Sequence, residues 1–183
     1  MFYGISFSLL NNTPYKMTEN PEPVFQVNAY SEPVVLKISG RVSYLNTLPV
    51  NDFFRRMEKL DKRNFVLDFA KCTSMDSTFL GIVVGAALRV RKKDPPGSFV
   101  LCRLGTRNLE SVRNLGLHRI ASVDAGDFPM EYESSGQCLE ATKNGEIENA
   151  KLVLQAHENL IEIDEKNKSR FQDVVEYLKN QVE

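Results

Sequence analysis

The sequence predicts an α/β fold, a sandwich in which helices pack on a mixed, mostly parallel sheet, followed by a long C-terminal helical extension. Short apolar runs, typical of buried parallel strands, alternate with segments of helical spacing. Two alternating runs separated by a few residues precede them and indicate an opening hairpin. The last 38 residues contain neither Pro nor Gly and are polar and helix-prone.

Charge and composition divide the 183 residues into three parts. We assign 1–23 to an N-terminal extension, 24–128 to the domain, and 129–183 to an acidic linker and helical extension. The domain carries 16 basic and 10 acidic side chains, whereas the C-terminal part carries 6 and 12. The simplest interpretation is that the acidic extension lies on its own domain. Nucleic-acid binding is not expected, because the basic residues are scattered apart from a cluster at 89–93, and Trp is absent.

The cysteines and histidines exclude a zinc site. Cys72, Cys102 and Cys138 form no CxxC pair, and His118 and His157 have no ligand neighbours at metal spacing. We therefore expect neither a metal nor another cofactor. An odd number of cysteines without a secretory signal indicates reduced thiols and a cytoplasmic protein. The longest apolar run is too short to span a bilayer, so no membrane partner is expected.

The first 16 residues are apolar at their start but lack the basic region and cleavage site of a signal peptide. Met17 begins a polar, Pro-rich segment typical of a domain start. We therefore hypothesise that translation starts at Met17. Peptides from residues 1–16 in the native protein would refute this.

The opening hairpin consists of alternating runs at 24–30 and 34–39, the second of which is predicted to end at Gly40. Thr47 is the predicted N-cap of the next element, an amphipathic helix with Pro49 in its first turn. The apolar stripe of this helix comprises Leu48, Phe53, Phe54, Met57 and Leu60.

A short apolar strand is predicted at 64–69, and a loop at 70–75. Residues 77–90 are apolar nearly all round, which predicts a helix in the interior, packed against the sheet. Gly81 and Gly85 lie four residues apart on this helix, and we expect them to let it approach the sheet closely.

The domain ends with a strand at 98–102, a helix at 106–115 with Thr106 as a candidate cap, and a strand at 120–123. A short helix is predicted around 138–142 in the linker.

The C-terminal segment predicts one long amphipathic helix, or two helices separated near the polar stretch at 165–168. This stripe packs either on the domain or on a second copy, which would make a homodimer; docking to another protein is a further alternative. Its apolar residues, at steps of three and four with one gap at Asn167, are Ala156, Leu160, Ile163, Phe171, Val174, Leu178 and Val182.

The most informative segment joins the buried strand to the apolar helix. Asp76 or Ser77 is expected to cap the helix, where backbone N–H groups lack partners and the helix dipole is positive. A hydroxyl on this turn would lie at the surface, and a phosphate on it would gain those donors while being repelled by Asp76. Such a modification would make the surface strongly negative with little change in fold. Simple capping explains the same residues without any function.

This segment resembles the signature of the STAS family, the domain of sulfate transporters and anti-sigma factor antagonists. Asp68 matches an acidic strand end, and Met75-Asp76-Ser77-Thr78-Phe79-Leu80-Gly81 matches the family's Met-Asp-Ser-Ser-Gly-Leu-Gly. The order of strands and helices over about residues 24–125 also matches, so the resemblance implies a STAS-like fold.

The resemblance also implies a function. In bacterial antagonists, the Ser or Thr after the Asp is phosphorylated by a kinase that also holds a sigma factor. The unphosphorylated antagonist binds that kinase and the phosphorylated form releases it. By position, Ser77 would be the phosphoacceptor of a cytoplasmic bacterial regulator of transcription. Its partners would be a serine kinase acting as the anti-sigma factor and, in some systems, a phosphatase. The implied partner-binding residues are Asp76, Thr78, Phe79, Leu80 and Ser43.

Three departures favour an alternative, a constitutive STAS scaffold subunit of a signalling or transport complex. Phe79 occupies a Gly position of the signature, Ser43 follows the second strand where many antagonists carry Asp, and the C-terminal helix is additional. An enzyme is not expected, and we assign no catalytic residues: Asp68 and Asp76 lack a His or Cys to complete a site, and no phosphate-binding glycine loop is present.

Overall fold

A computed structural model describes residues 24–124, 136–140 and 145–182. The expectations for residues 1–23, including a start at Met17, lie outside the described residues. Within them, the strands are β1 (Val24–Asn28), β2 (Val34–Val42), β3 (Asn64–Met75), β4 (Ser98–Cys102), β5 (Ser122–Asp124) and β6 (Gln137–Cys138). The α-helices are α1 (Leu48–Lys59), α2 (Ser77–Arg91), α3 (Thr106–Asn114), α4 (Glu146–Ile163) and α5 (Lys168–Val182).

The strands form one mixed sheet in the order β5-β4-β3-β2-β1-β6. Strands β2 to β5 are parallel to one another, while β1 pairs antiparallel with both β2 and β6. This confirms the predicted α/β class, the opening hairpin and the mostly parallel sheet. The parallel strands align in register, as Leu36 opposite Leu67 and Leu67 opposite Leu101 show.

An aromatic cluster joins α1 to the sheet. The rings of Phe65 and Phe99, on neighbouring strands, stack with centroids 4.9 Å apart, and Phe54 of α1 meets Phe65 edge-on at 5.7 Å. Such ring pairs stabilise the core beyond what the burial of their apolar area alone contributes. Thr47 occupies the predicted N-cap, but its hydroxyl makes no cap bond, and Leu60 lies beyond the helix end and is exposed.

Strands β2 and β3 are both longer than predicted. The expected loop at 70–75 is strand, and β2 continues past Gly40 to Val42. Gly40 has a φ of 78° and lies at a register shift between the two strands, where an extra residue is accommodated. The paired extension ends with Val42 opposite Met75, so β3 leads directly into the N-cap of α2.

Three smaller elements also differ from the prediction. Gly105, not Thr106, is the N-cap of α3. A short 3-10 turn at Leu117–Arg119 precedes β5, which therefore begins at Ser122 rather than at 120. The helix expected around 138–142 is wrong at Cys138, which lies in β6 opposite Gln26 of β1. Residues 141 and 142 lie outside the described part.

The C-terminal segment forms two helices, the second of the two predicted forms. Asn167, at the gap in the stripe, is fully buried between them and donates to the carbonyls of Leu115 (3.0 Å) and Leu160 (2.8 Å). The phase of α5 restarts after this turn, so Val175 is buried and Val174 is 41% exposed, contrary to the predicted stripe.

Helix α4 packs on α2, so the extension lies on its own domain as the charge asymmetry predicts. Ion pairs across this contact join Lys92 to Glu162 (3.5 Å) and Arg119 to Asp164 (3.3 Å). The role expected for the two helical glycines was wrong. A Cβ at Gly81 would overlap the backbone carbonyl of Ala156, so the stripe of small residues faces α4 rather than the sheet.

Candidate functional site

The candidate site lies where β3 passes into α2. Asp76 is extended and forms the N-cap, and its Oδ1 accepts the backbone N–H of Phe79 at 3.0 Å. This satisfies one of the donors that a helix N-terminus leaves without an internal partner. Of the two caps that the sequence leaves open, Asp76 is therefore the observed one, and Ser77 is the first residue of α2.

The second oxygen of Asp76 reaches a different part of the chain. Oδ2 accepts the backbone N–H of Tyr44 at 2.7 Å, in the turn between β2 and α1. Asn46 stabilises this turn: its side chain accepts from the N–H of Ser43 at 2.9 Å, and its N–H donates to the Ser43 carbonyl at 3.0 Å. Asp76 thus joins the Ser43 turn to the start of α2, and both its oxygens have a structural role.

The hydroxyl of Ser77 is held by the C-terminal extension. Its Oγ lies 3.0 Å from Nε2 of His157 on α4, and Nδ1 of His157 lies 2.8 Å from the carbonyl oxygen of Val153. A carbonyl only accepts, so in the neutral imidazole Nδ1 carries the proton and Nε2 accepts the Ser77 hydroxyl. The His157 ring is 5% exposed and packs on Phe171 of α5, with ring centroids 4.8 Å apart.

The structure brings Asp76, Ser77 and the Ser43 turn together, but it buries the remaining predicted partner-binding residues. Thr78, Phe79 and Leu80 are all buried, and Phe79 meets Phe69 of β3 edge-on at 6.3 Å. In this arrangement those three side chains offer no exposed surface. Their contact with a partner remains a prediction.

Sequence analysis missed His157, for which it gives no role beyond the absence of ligand neighbours at metal spacing. It lies 80 residues from Ser77, so no local spacing could connect them. Asn159, two residues further along α4, was missed too. Its side chain donates to the Gly81 carbonyl at 3.0 Å, one turn of α2 beyond Ser77.

Two other polar groups near the sheet have structural explanations. Asp68 lies within β3 rather than at its end, and its buried carboxylate accepts from the Arg103 guanidinium and from the N–H of Ala70. Burial raises the pKa of the Cys72 thiol to about 11. At neutral pH this thiol is therefore protonated and a poor nucleophile.

Neither a cluster of metal ligands nor a membrane-spanning helix is found among the described residues. No three His, Cys, Asp or Glu side chains there lie close enough together to hold a metal ion. None of the helices in that part of the chain has the length and apolarity to cross a bilayer.

Comparisons with known proteins add a likeness to solved structures. No protein-family model and no curated protein matches the chain. The mixed α/β chain is similar to the solved structure of the Bacillus cell fate determinant SpoIIAA in its phosphorylated form. The identity is 17%, over 56% of this chain and 92% of that chain, with a TM-score of 0.46.

Proposed function

We propose that this chain is a non-enzymatic regulatory module, related in mechanism to the anti-sigma factor antagonists, whose binding to a protein partner depends on phosphorylation of Ser77. The placement of the Ser77 hydroxyl carries the proposal. Ser77 is the first residue of a buried helix, and it directly follows the N-cap Asp76, whose carboxylate accepts two backbone N–H groups. The match of residues 75–81 to the STAS signature supports the same assignment.

The chemistry of this position suits a switch. A phosphate on Ser77 adds close to two negative charges next to the Asp76 carboxylate. Repulsion between them weakens the cap and its bond to Tyr44, while the helix N-terminus retains the anion. The Ser43 turn and the start of α2 thereby change together. The partner is a serine kinase that binds the unphosphorylated form and is released once it has modified Ser77, and a phosphatase resets the cycle.

Phosphosite mapping by mass spectrometry tests this, on the protein isolated from its own cells in growing and stressed states. We expect phosphate on Ser77 with an occupancy that changes between the states. Thr78 is an internal control, since its side chain is buried and should stay unmodified. Phosphate on exposed Thr73 instead of Ser77 would contradict the assignment.

A binding titration with the kinase identified in this way tests the direction of the switch. Ser77→Ala should stay bound, whereas Ser77→Glu should bind at least about tenfold more weakly, because a tenfold loss needs only about 1.4 kcal/mol of repulsion. Equal affinities of the two variants would rule out a switch at this residue.

A constitutive scaffold subunit is the second candidate. One observation favours it: the Ser77 hydroxyl is already hydrogen-bonded to His157 beneath α4. A Ser77 that stays unmodified in every growth state would favour this function. Absence of nucleotide turnover by the purified protein is expected under both proposals.

A further inference from the structure

Helix α4 lies across the N-terminal half of α2 and leaves Ser77 only partly exposed. Three contacts, made by one turn of α4 with the first turn and a half of α2, hold it there. His157 accepts the Ser77 hydroxyl, the backbone of Ala156 lies directly on Gly81, and the Asn159 side chain donates to the Gly81 carbonyl. Helix α5 completes the cover from outside, because Phe171 packs on the His157 ring.

This interface holds the hydroxyl of Ser77, although the residue itself stays partly exposed. Its Oγ and His157 Nε2 are 3.0 Å apart, which is hydrogen-bond contact. One turn further along α2, Gly81 is in backbone contact with α4, so α4 cannot yield locally by a change of side-chain rotamer. A phosphoryl group on Oγ replaces the hydrogen that Ser77 donates, so phosphorylation breaks the bond to His157 at this end of the contact.

We propose that the α4–α5 pair is an intramolecular cover that must leave the N-terminal half of α2 before a modifying enzyme or partner reaches Ser77. A protein kinase needs the acceptor hydroxyl free and in line with the γ-phosphate, whereas here the hydroxyl is occupied by His157. The biological meaning of the cover rests on the proposed function. Its existence does not, because it follows from contacts within one chain.

Opening of the cover is measurable without any partner. Ser77→Cys in a Cys138→Ser background places one thiol under α4, and alkylation by iodoacetamide, read at each site by mass spectrometry, reports its exposure. The same chain in urea gives the rate for a fully exposed thiol. Cys72 and Cys102 are both buried in the sheet and report global unfolding in the same sample.

Gly81→Ala opens the cover selectively. The added methyl overlaps the Ala156 backbone, which must retreat, while Ala favours the α2 helix itself. Gly105→Ala is the matched control: it adds the same methyl in open space at the N-cap of α3. We expect Gly81→Ala to accelerate alkylation of the introduced thiol by about tenfold or more, as local opening would. Gly105→Ala should leave this rate unchanged.

Three outcomes decide the proposal. Faster labelling of the introduced thiol with Cys72 and Cys102 still protected supports the cover. Labelling in the parent at the rate seen in urea overturns it. If Gly81→Ala exposes all three thiols, the variant has unfolded the domain, and Asn159→Ala is used instead. This variant removes the hydrogen bond to the Gly81 carbonyl without adding a methyl group. An unchanged alkylation rate of the introduced thiol in Asn159→Ala also overturns the cover. A failure to find phosphate on Ser77 in cells would end the proposed function but leave these rates unaffected.

Discussion

The two faces of α2 are packed in different ways. On the sheet side the contact is made by bulky apolar groups, as Phe79 against Phe69 illustrates. On the α4 side the stripe of Ser77, Gly81 and Gly85 brings backbones close together, with side-chain hydrogen bonds to His157 and Asn159. Large apolar contacts stabilise through the area they remove from water, whereas close approach depends on shape and few bonds. We therefore expect α2 to keep its place in the domain when it loses its cover.

A substitution on the face of α2 that packs on the sheet should lower the free energy of unfolding the most. Phe79→Ala removes a fully buried ring from the core, and we expect the free energy of unfolding to fall by about 3–5 kcal/mol. A urea titration measures this. Val174→Ala is the control on an exposed apolar residue and should change stability by less than about 0.5 kcal/mol. Similar losses in the two variants would contradict the assignment of the core.

A substitution in the α4–α5 cover should have a smaller and more local effect on stability. Leu160 is fully buried at the C-terminal end of α4, and Leu160→Ala should cost about 2–4 kcal/mol. Hydrogen exchange should show lost protection over 146–182, with β3 and β4 still protected. If β3 and β4 lose protection to the same extent, the two faces of α2 form one cooperative unit and the comparison fails.

Asp76 joins the Ser43 turn to the start of α2. Asp76→Ala removes the acceptor of both the Phe79 and Tyr44 N–H groups, and it should lower stability by about 1–2 kcal/mol, as loss of an N-cap does. Asp76→Asn is the matched variant, because Asn also caps helices, and it should lose less. Thermal unfolding measures both. Equal losses would mean that the charge, rather than the cap, matters here.

The smallest effect is expected at Asp61, far from the site. Hydrogen bonds from Arg63, and then from Lys93, lower the pKa of this carboxyl from 3.8 to about 2. A lowered pKa means that the ion pairs add stability above about pH 4 and lose it as the pH falls through 2. The effect is small because the group is exposed. An NMR titration of the carboxyl carbon should have its midpoint near 2, and a midpoint near 4 would contradict the pairing; Asp61→Asn should remove this acid-dependent part of the stability.

The sequence predicts the sheet well wherever strands are apolar and helices amphipathic. It misses the second half of β3 because only half of residues 70–75 are apolar. These residues also pair through a bulge at Gly40, and that pairing depends on the neighbouring strand. It misses β6 because two exposed residues carry no pattern.

In the candidate site, too, local sequence predicts some features, whereas others depend on how distant elements pack together. Asp76 as a cap and Ser77 as the first helical residue follow from local rules of helix termini. The bond from Ser77 to His157 depends on how α4 crosses α2, which no spacing along the chain encodes. The glycine stripe was visible in the sequence, but the element it faces was not.

The sheet margins have a consequence for how the protein behaves at high concentration. A long, flat outer strand is a template on which other chains add and aggregate. Here the outermost strands, β5 and β6, are only three and two residues long. The pairing of Leu139 N–H with the Phe25 carbonyl, 2.8 Å, extends the protection of β1 by one bond. Strand-to-strand polymerisation along the sheet is therefore disfavoured.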